Sequence, residues 1–126
     1  MKLQKMIQVE TVSSREDKDP ARFYQLHKVM EELFPNVFSK CEKYDFDGNL
    51  LVRYPGKDPN KQPIVLISHL DVVPAEGKWT YPPFEGKIVN GKIYGRGTFD
   101  VKCGVFGFYQ AAEELIKEGY VPECDI

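Results

Sequence analysis

The sequence lacks several features that mark specialised classes of protein. Its three cysteines, Cys41, Cys103 and Cys124, are widely spaced and form no Cys-x-x-Cys pair, so neither a disulfide framework nor a thiolate zinc knuckle is indicated. No apolar run approaches the roughly 20 residues of a membrane span, and no long apolar segment of a secretory signal follows Met1. We therefore expect a cytoplasmic protein.

The chain also lacks an excess of charge of either sign. Among its 126 residues 17 are basic and 19 are acidic, which gives a net charge of −2. Because there is no basic stripe for nucleic acid and no cationic surface for anionic lipid, we expect neither a nucleic-acid nor a membrane partner. The hydrophobic content of 42% is ordinary for a globular protein, and a chain of this length forms one domain at most.

The stretch that carries most chemical information runs from residue 64 to residue 102. Residues 64–68 are an uninterrupted, β-branched-rich apolar run, which predicts a strand buried on both faces of a mainly parallel sheet. His69 and Asp71 follow directly, where α/β sheets bind their ligands. Alternate residues of a strand project to the same side, and a metal-bound imidazole generally has a carboxylate partner. The pair therefore predicts metal chemistry.

Asp100 is the natural third member of this site. Asn90-Gly91 between apolar residues predicts a β-hairpin over residues 87–94, which leads the chain toward Asp100. Apolar residues at helical spacing then predict a helix over residues 102–118. Asp100 therefore precedes a helix N-terminus, where the helix dipole stabilises negative charge, and its two oxygens can bridge two cations roughly 3.5–4 Å apart.

The rest of the chain reads as structural support. We expect a short helix near residues 3–7, a loop over residues 11–19, a helix from Asp19-Pro20 that ends at Pro35, and strands over residues 37–44 and 50–54. Hydroxyls of the 11–14 segment are expected to satisfy backbone groups, without a catalytic role. His27 is interpreted as a packing or surface residue and not as a ligand.

Three side chains near the predicted site also have structural interpretations. Lys102 is expected to form a structural ion pair, since it lies in the first turn of the last helix. Cys103 is expected to be buried as a small apolar residue. Trp79 and Pro82-Pro83-Phe84 could form a wall of the site entrance or cover the core, and a cover is favoured because large aromatic side chains are mostly packing groups.

Several motifs occur together and in a fixed order. They are Ser-His-Leu-Asp-Val-Val-Pro at residues 68–74, Trp79, Pro-Pro-Phe at 82–84, Gly-Lys-Ile-Tyr-Gly-Arg-Gly at 91–97, and Asp100-x-Lys102. With them the chain resembles, over essentially its whole length, the zinc exopeptidase family of aminoacylase, acetylornithine deacetylase, succinyl-diaminopimelate desuccinylase and carboxypeptidase S, and the carboxypeptidase S branch in particular. The fold implied is an α/β one: an incomplete three-layer α/β/α catalytic domain with a mainly parallel sheet, flanking helices and one β-hairpin.

The resemblance also implies roles for the site residues. His69 would be a terminal ligand of one zinc ion, Asp71 the catalytic carboxylate that orients it, and Asp100 the bridge between two zinc ions, for which cobalt could substitute. The Asp100–Val101 peptide would be cis. Family members carry a later Glu-Glu pair, which contains the general base, and further ligands that this sequence lacks. Residues 1–126 are therefore expected to be the truncated N-terminal portion of a catalytic domain, without its lid or dimerisation domain.

For the intact parent the resemblance implies metal-dependent hydrolysis of an amide bond in N-acyl amino acids or short peptides. The fragment itself is expected to be inactive, and its incomplete sheet edge is expected to favour self-association. Two alternatives stay open: a non-catalytic α/β interaction module, and a magnesium-dependent phosphohydrolase that uses Asp71 and Asp100. The presence of His69 argues against magnesium, which prefers oxygen ligands.

Overall fold

The computed structural model describes residues 1–16 and 19–126. Within these residues the chain forms helices and strands in the order α1 (Lys2–Ile7), α2 (Ala21–Leu33), α3 (Pro35–Lys40), β1 (Glu42–Phe46), β2 (Asn49–Arg53), β3 (Lys87–Val89), β4 (Lys92–Tyr94) and α4 (Lys102–Lys117). Mixed α and β structure is thus confirmed. The predicted loop at 11–19 is described except at residues 17 and 18, which lie outside the described residues. In the part of the chain that is described, no helix combines the length and the apolar character needed to cross a membrane.

The four helices pack around one apolar core. Phe34, which is fully buried, lies at the junction of α2 and α3, and its ring centroid is 5.4 Å from that of Tyr109 on α4. The other buried residues of this core are apolar side chains of the four helices, together with Val9, which lies two residues after the end of α1. They are Met6, Val9, Leu26, Met30, Leu33, Val37 and Val105. Because this core fixes α4, it also fixes the residues that directly precede α4, which include Asp100.

The predicted hairpin over residues 87–94 is confirmed. Strands β3 and β4 pair antiparallel, with Val89 opposite Lys92. Asn90 and Gly91 have φ angles of +49° and +74°, as the two central residues of a type I′ turn require. The hairpin therefore returns the chain to Gly95 and the turn that carries Asp100.

The strand predicted over residues 37–44 is wrong in its first half. Residues 35–40 form α3, and β1 begins only at Glu42. Pro35 occupies the start of α3, where its fixed φ favours a helix and its missing N–H costs nothing. Glu113 of α4 then accepts hydrogen bonds from the amides of Asn36 and Val37, at 3.2 and 2.9 Å, which supplies a cap that local sequence does not reveal.

The buried parallel strand predicted at residues 64–68 is also wrong for this chain. Within the described residues the only sheets are two antiparallel pairs, β1–β2 and β3–β4, and the parallel contact is a single bridge between Val12 and Val72. Ile67 is 84% exposed, and Ile64, Val65 and Leu66 are also exposed. Apolar, β-branched sequence favours an extended backbone, but burial needs neighbours on both faces. Ile64 gains only an edge contact, its amide hydrogen bond to the Asp125 carbonyl at 2.9 Å, and its side chain stays exposed.

Candidate metal centre

The structure brings His69, Asp71 and Asp100 together, although Asp100 lies 31 residues beyond His69 in the chain. His69 Nε2 is 3.1 Å from Asp100 Oδ1. On the opposite edge of the ring, His69 Nδ1 is 3.1 Å from both Asp71 Oδ1 and the Asp71 carbonyl oxygen. One imidazole therefore lies between two carboxylates, and all three predicted site residues meet.

The turn that delivers Asp100 packs against the segment that carries His69 and Asp71. Gly97 has a φ of +82°, and a Cβ atom there would lie 2.7 Å from Val72 Cγ1. Only glycine fits this close approach without strain. The Asp100–Val101 peptide that follows is cis, as the family resemblance implied.

The two carboxylates change the acidity of the imidazole. Partial burial of the ring disfavours its protonated form, but the hydrogen bond to Asp71, the charge of Asp71 and the contact with Asp100 together outweigh that cost and raise the pKa of His69 above its usual value. Because the side chains of His69 and Asp100 are 51% and 85% exposed, solvent screens these interactions. The site is therefore open to water. A proton on Nε2 of His69 lies between the ring and the Asp100 carboxylate, which is also the position where a metal cation would be stabilised.

The donor atoms fit a metal ion in part. With Nδ1–H donating to Asp71, the Nε2 lone pair is free to bind a metal, the arrangement usual for histidine ligands. Two ligands about 2.0–2.2 Å from one tetrahedral zinc ion would lie about 3.4 Å apart, close to the 3.1 Å between His69 Nε2 and Asp100 Oδ1. Among the described residues, however, no group of three or more His, Cys, Asp or Glu side chains is placed to hold one ion, since Asp71 and Asp100 contact opposite nitrogens.

An open groove of about 630 Å³ borders the His69–Asp100 pair. Trp79, Tyr94 and Phe99 contribute to its wall, and the Arg96 guanidinium lies 5.0 Å from the centre of the Trp79 ring. Trp79 therefore lines the groove, which is the less favoured of the two interpretations drawn from the sequence, and it does not cover the core. The position next to the site suits the apolar part of a small ligand.

Sequence reasoning missed the role of Ser13. Its hydroxyl donates a hydrogen bond of 2.7 Å to Asp71 Oδ2, so it contacts the predicted site and not a backbone group. Thr11 does bond to the backbone as expected, through Oγ1 to the Leu70 carbonyl at 2.6 Å. The hydroxyl-rich sequence of this segment was visible, but nothing local indicates a partner 58 residues away.

The predicted ion pair of Lys102 is wrong. Lys102 is fully buried, and its Nζ donates to the carbonyl oxygens of Met6 and Val9 at 3.0 and 2.7 Å. Desolvation lowers the pKa of Lys102 to about 8. The sequence does contain a sign of this burial, because Lys102 lies three residues before Val105 and so shares the apolar face of α4. Cys103 is only half-buried, and its Sγ donates to the Phe99 carbonyl at 3.3 Å.

Residues 65–126 match the family model described as Peptidase family M20/M25/M40. The chain belongs to this family. The matched range contains His69, Asp71 and Asp100, and the assignment confirms the resemblance drawn from the motifs.

Curated relatives of this M20/M25/M40 chain include enzymes of two named activities. It is 38% identical over 122 residues to the N-fatty-acyl-amino acid synthase/hydrolase of Danio rerio, an alignment that covers 92% of this chain and 24% of the relative. It is 33% identical over 140 residues to carboxypeptidase S of Saccharomyces cerevisiae, covering 99% of this chain and 24% of the relative. The probable carboxypeptidase S-like 2 of Dictyostelium discoideum is 36% identical over 114 residues, covering 87% and 22%. The chain thus spans about a quarter of the length of the curated relatives it matches.

Proposed function

We propose that this chain supplies His69, Asp71 and Asp100 to the active site of a metal-dependent hydrolase that cleaves an amide bond. The observation that carries the proposal is the imidazole of His69 held between two carboxylates, with 3.1 Å on either side, in a chain of the M20/M25/M40 family. Peptidases of this family are generally metal-dependent. The cytoplasmic location and the place of residues 1–126 in a larger catalytic domain stay predictions from the sequence.

In this proposal His69 Nε2 and Asp100 would hold zinc, for which cobalt could substitute. When bound, zinc polarises a carbonyl group and makes water an effective nucleophile near neutral pH. Asp71 keeps the proton of His69 on Nδ1, which leaves Nε2 as the ligand atom and fixes the plane of the ring. Asp71 therefore acts behind the metal ligand and does not bind the metal itself.

The substrate class that we propose is N-acyl amino acids or short peptides. Relatives of this chain are named as an N-fatty-acyl-amino acid synthase/hydrolase and as carboxypeptidase S. The aromatic wall of the groove beside His69, with Phe99 91% exposed, supports an apolar acyl group or side chain as the part of the substrate held here. Burial of exposed apolar surface favours such binding by about 25 cal/mol per Å².

Metal affinity tests the proposed site. We expect zinc binding, measured by calorimetry and elemental analysis, to be lost or strongly weakened in His69→Ala and in Asp100→Asn. Glu76→Gln is the matched control, because Glu76 is an exposed carboxylate five residues after Asp71 in the sequence. Equal affinity in all four proteins, or no binding by the parent chain, contradicts the proposal, and the second result would favour a non-catalytic module.

We further propose that these 126 residues alone do not turn over an amide substrate. Zinc hydrolases use about three protein ligands for each metal, whereas the described residues hold no group of three. The purified chain, supplied with zinc or cobalt, should release no amino acid from an N-acyl amino acid above the buffer blank. Metal-dependent release that disappears in His69→Ala would overturn this. The peptidase family assignment also argues against the magnesium-dependent phosphohydrolase.

Self-association through residues 64–67 is proposed as well. These four apolar residues are 52–84% exposed, and within the described residues the amides of 65–69 donate no hydrogen bond. An uncharged extended segment with free backbone groups can pair with its own copy. Sedimentation velocity should show concentration-dependent dimers, which Ile67→Lys abolishes and Val121→Lys, at another exposed apolar residue, leaves intact. A monomer at all concentrations contradicts this.

A further inference from the structure

The segment of residues 9–13 contacts both parts of the candidate metal centre. At one end it lies beside residues 70–72, where the Val72 amide donates to the Thr11 carbonyl at 2.9 Å and the Ser13 amide donates to the Val72 carbonyl at 3.1 Å. The fully buried Thr11 adds its hydroxyl hydrogen bond to the Leu70 carbonyl. Three hydrogen bonds therefore hold the backbone on both sides of Asp71.

Ser13 then reaches the Asp71 carboxylate itself. Its hydroxyl donates to Oδ2 at 2.7 Å, while Oδ1 of the same carboxylate lies 3.1 Å from His69 Nδ1. Each oxygen of Asp71 thus has its own partner, and the plane of the carboxylate is fixed. Without the Ser13 hydroxyl, Asp71 could rotate about its last torsion, which is broad for carboxylates, and the proton on His69 Nδ1 would no longer have a fixed acceptor.

The other end of the segment is held by Lys102. This side chain is fully buried, and its Nζ donates to the Val9 and Met6 carbonyls, while its backbone amide donates to the Gly97 carbonyl at 2.9 Å. Lys102 begins α4 two residues after Asp100. The same residue therefore ties the turn that carries Asp100 to the segment that ends at Ser13.

We propose that residues 9–13 are a positioning strut, which sets the distance between the His69–Asp71 pair and Asp100, with Ser13 and Lys102 as positioning residues at its two ends. The inference rests on the proposed function, because a fixed distance matters only if His69 and Asp100 bind the same metal centre. It adds two residues outside the predicted ligand set, and it gives the N-terminal segment a role in the chemistry.

The test compares Ser13→Ala with Ser14→Ala in the full chain, since Ser14 is the adjacent hydroxyl and its Oγ accepts from the Glu16 amide instead. In the metal-free protein we expect the ring-nitrogen NMR signals of His69 in Ser13→Ala to move toward those of an imidazole exchanging between tautomers. Ser14→Ala should leave them unchanged, and Ser13→Thr, which keeps the hydroxyl, should restore them. Identical His69 signals in Ser13→Ala and Ser14→Ala overturn the role of Ser13.

Zinc affinity gives the second readout. Removal of a residue that orients a metal ligand typically weakens metal binding about 10-fold or more. Ser13 acts one step further out, through Asp71, so we expect Ser13→Ala to weaken zinc binding by up to about tenfold, in a protein that the urea transition shows to be folded. Lys102→Met should weaken zinc binding even where the urea midpoint shows that the variant is folded. If Lys102→Met does not fold, hydrogen exchange of the Val72 amide is measured instead, because this amide donates to Thr11 in the strut. Slow exchange in the parent chain, together with faster exchange in Ser13→Ala, supports the strut. Fast exchange in the parent chain overturns it.

The two proposals fail in different ways. Unchanged zinc affinity in His69→Ala contradicts the proposed function, while the NMR comparison still decides whether Ser13 positions His69. Weakened zinc binding in His69→Ala, together with equal affinity in Ser13→Ala and Ser14→Ala, overturns the strut alone.

Discussion

The carboxylate of Glu113 should be among the most important side chains for the stability of this chain. It is only 6% exposed and accepts three hydrogen bonds from the start of α3: from the Asn36 amide at 3.2 Å, from Asn36 Nδ2 at 2.8 Å and from the Val37 amide at 2.9 Å. Two of these donors are backbone groups that a helix start leaves without an intrahelical partner. Glu113 therefore caps α3 from a different helix, 76 residues away from Val37.

The magnitude follows from what Glu113→Ala leaves behind. The bond to the buried Val37 amide is charge-assisted, so its loss costs about 1.5–3 kcal/mol. The half-buried Asn36 contacts add about 1 kcal/mol, as for the loss of a typical helix cap. We therefore expect Glu113→Ala to lower the free energy of unfolding by about 3 kcal/mol. Glu113→Gln should lose roughly half of that, because it keeps one carbonyl oxygen but faces a donor with its amide group.

Urea unfolding followed by circular dichroism at 222 nm measures this loss. Glu114→Ala is the matched control, since Glu114 is exposed and its carboxylate accepts a single bond from Gln110 Nε2 at 2.7 Å, so its removal should cost within about 0.5 kcal/mol. If Glu113→Ala and Glu114→Ala have equal unfolding free energies, the capping argument is refuted.

Two further predictions concern other parts of the chain. His27 is buried, and its Nδ1 is 3.1 Å from Asp45 Oδ2. Desolvation lowers the pKa of His27, although Asp45 opposes the shift. The unfolded chain therefore binds a proton at His27 more readily than the folded chain does. The stability of the fold is not reduced by this difference above the ordinary histidine pKa of about 6.5, and it declines as the pH falls below that value. The melting temperature should therefore fall less between pH 7 and pH 5 in His27→Gln than in the parent chain. Gly97→Ala should lower the unfolding free energy by about 1–3 kcal/mol, because of its positive φ and the 2.7 Å approach to Val72.

Controls separate these effects from general damage. A difference in stability between parent and His27→Gln that stays constant from pH 7 to pH 5 would show that His27 protonation does not matter. Gly107→Ala serves as the control for Gly97→Ala, since Gly107 lies within α4 and an added Cβ meets no atom within 4 Å. Gly107→Ala should be neutral or stabilise by up to about 1 kcal/mol. A Gly97→Ala protein as stable as Gly107→Ala contradicts the packing argument.

Local patterns were sufficient where the structure depends on neighbours in sequence. Asn90-Gly91 located the β3–β4 hairpin, and apolar spacing located α1, α2 and α4. The three residues of the candidate metal centre were also found, because residue type, spacing and motif order agreed at His69, Asp71 and Asp100. Their roles as ligands stay predictions until metal binding is measured.

What local patterns could not supply are the effects of distant residues. Residues 37–40 were predicted as a strand because the cap from Glu113 lies far along the chain. The apolar run at 64–68 indicates an extended backbone, but burial depends on what lies beside it. The contacts of Ser13 and Lys102 span 58 and up to 96 residues, and no spacing rule reaches that far.

The long contacts of Lys102 also set an order of folding. Helix α1 has only six residues, and an isolated helix of that length is not stable in water. Its carbonyl at Met6 and the neighbouring carbonyl at Val9 are bonded by a side chain 96 and 93 residues later. During synthesis residues 2–9 must therefore wait for Lys102, at the beginning of α4, before these two hydrogen bonds can form. Residues 6–9 are thus synthesised more than 90 residues before the side chain that holds them in place.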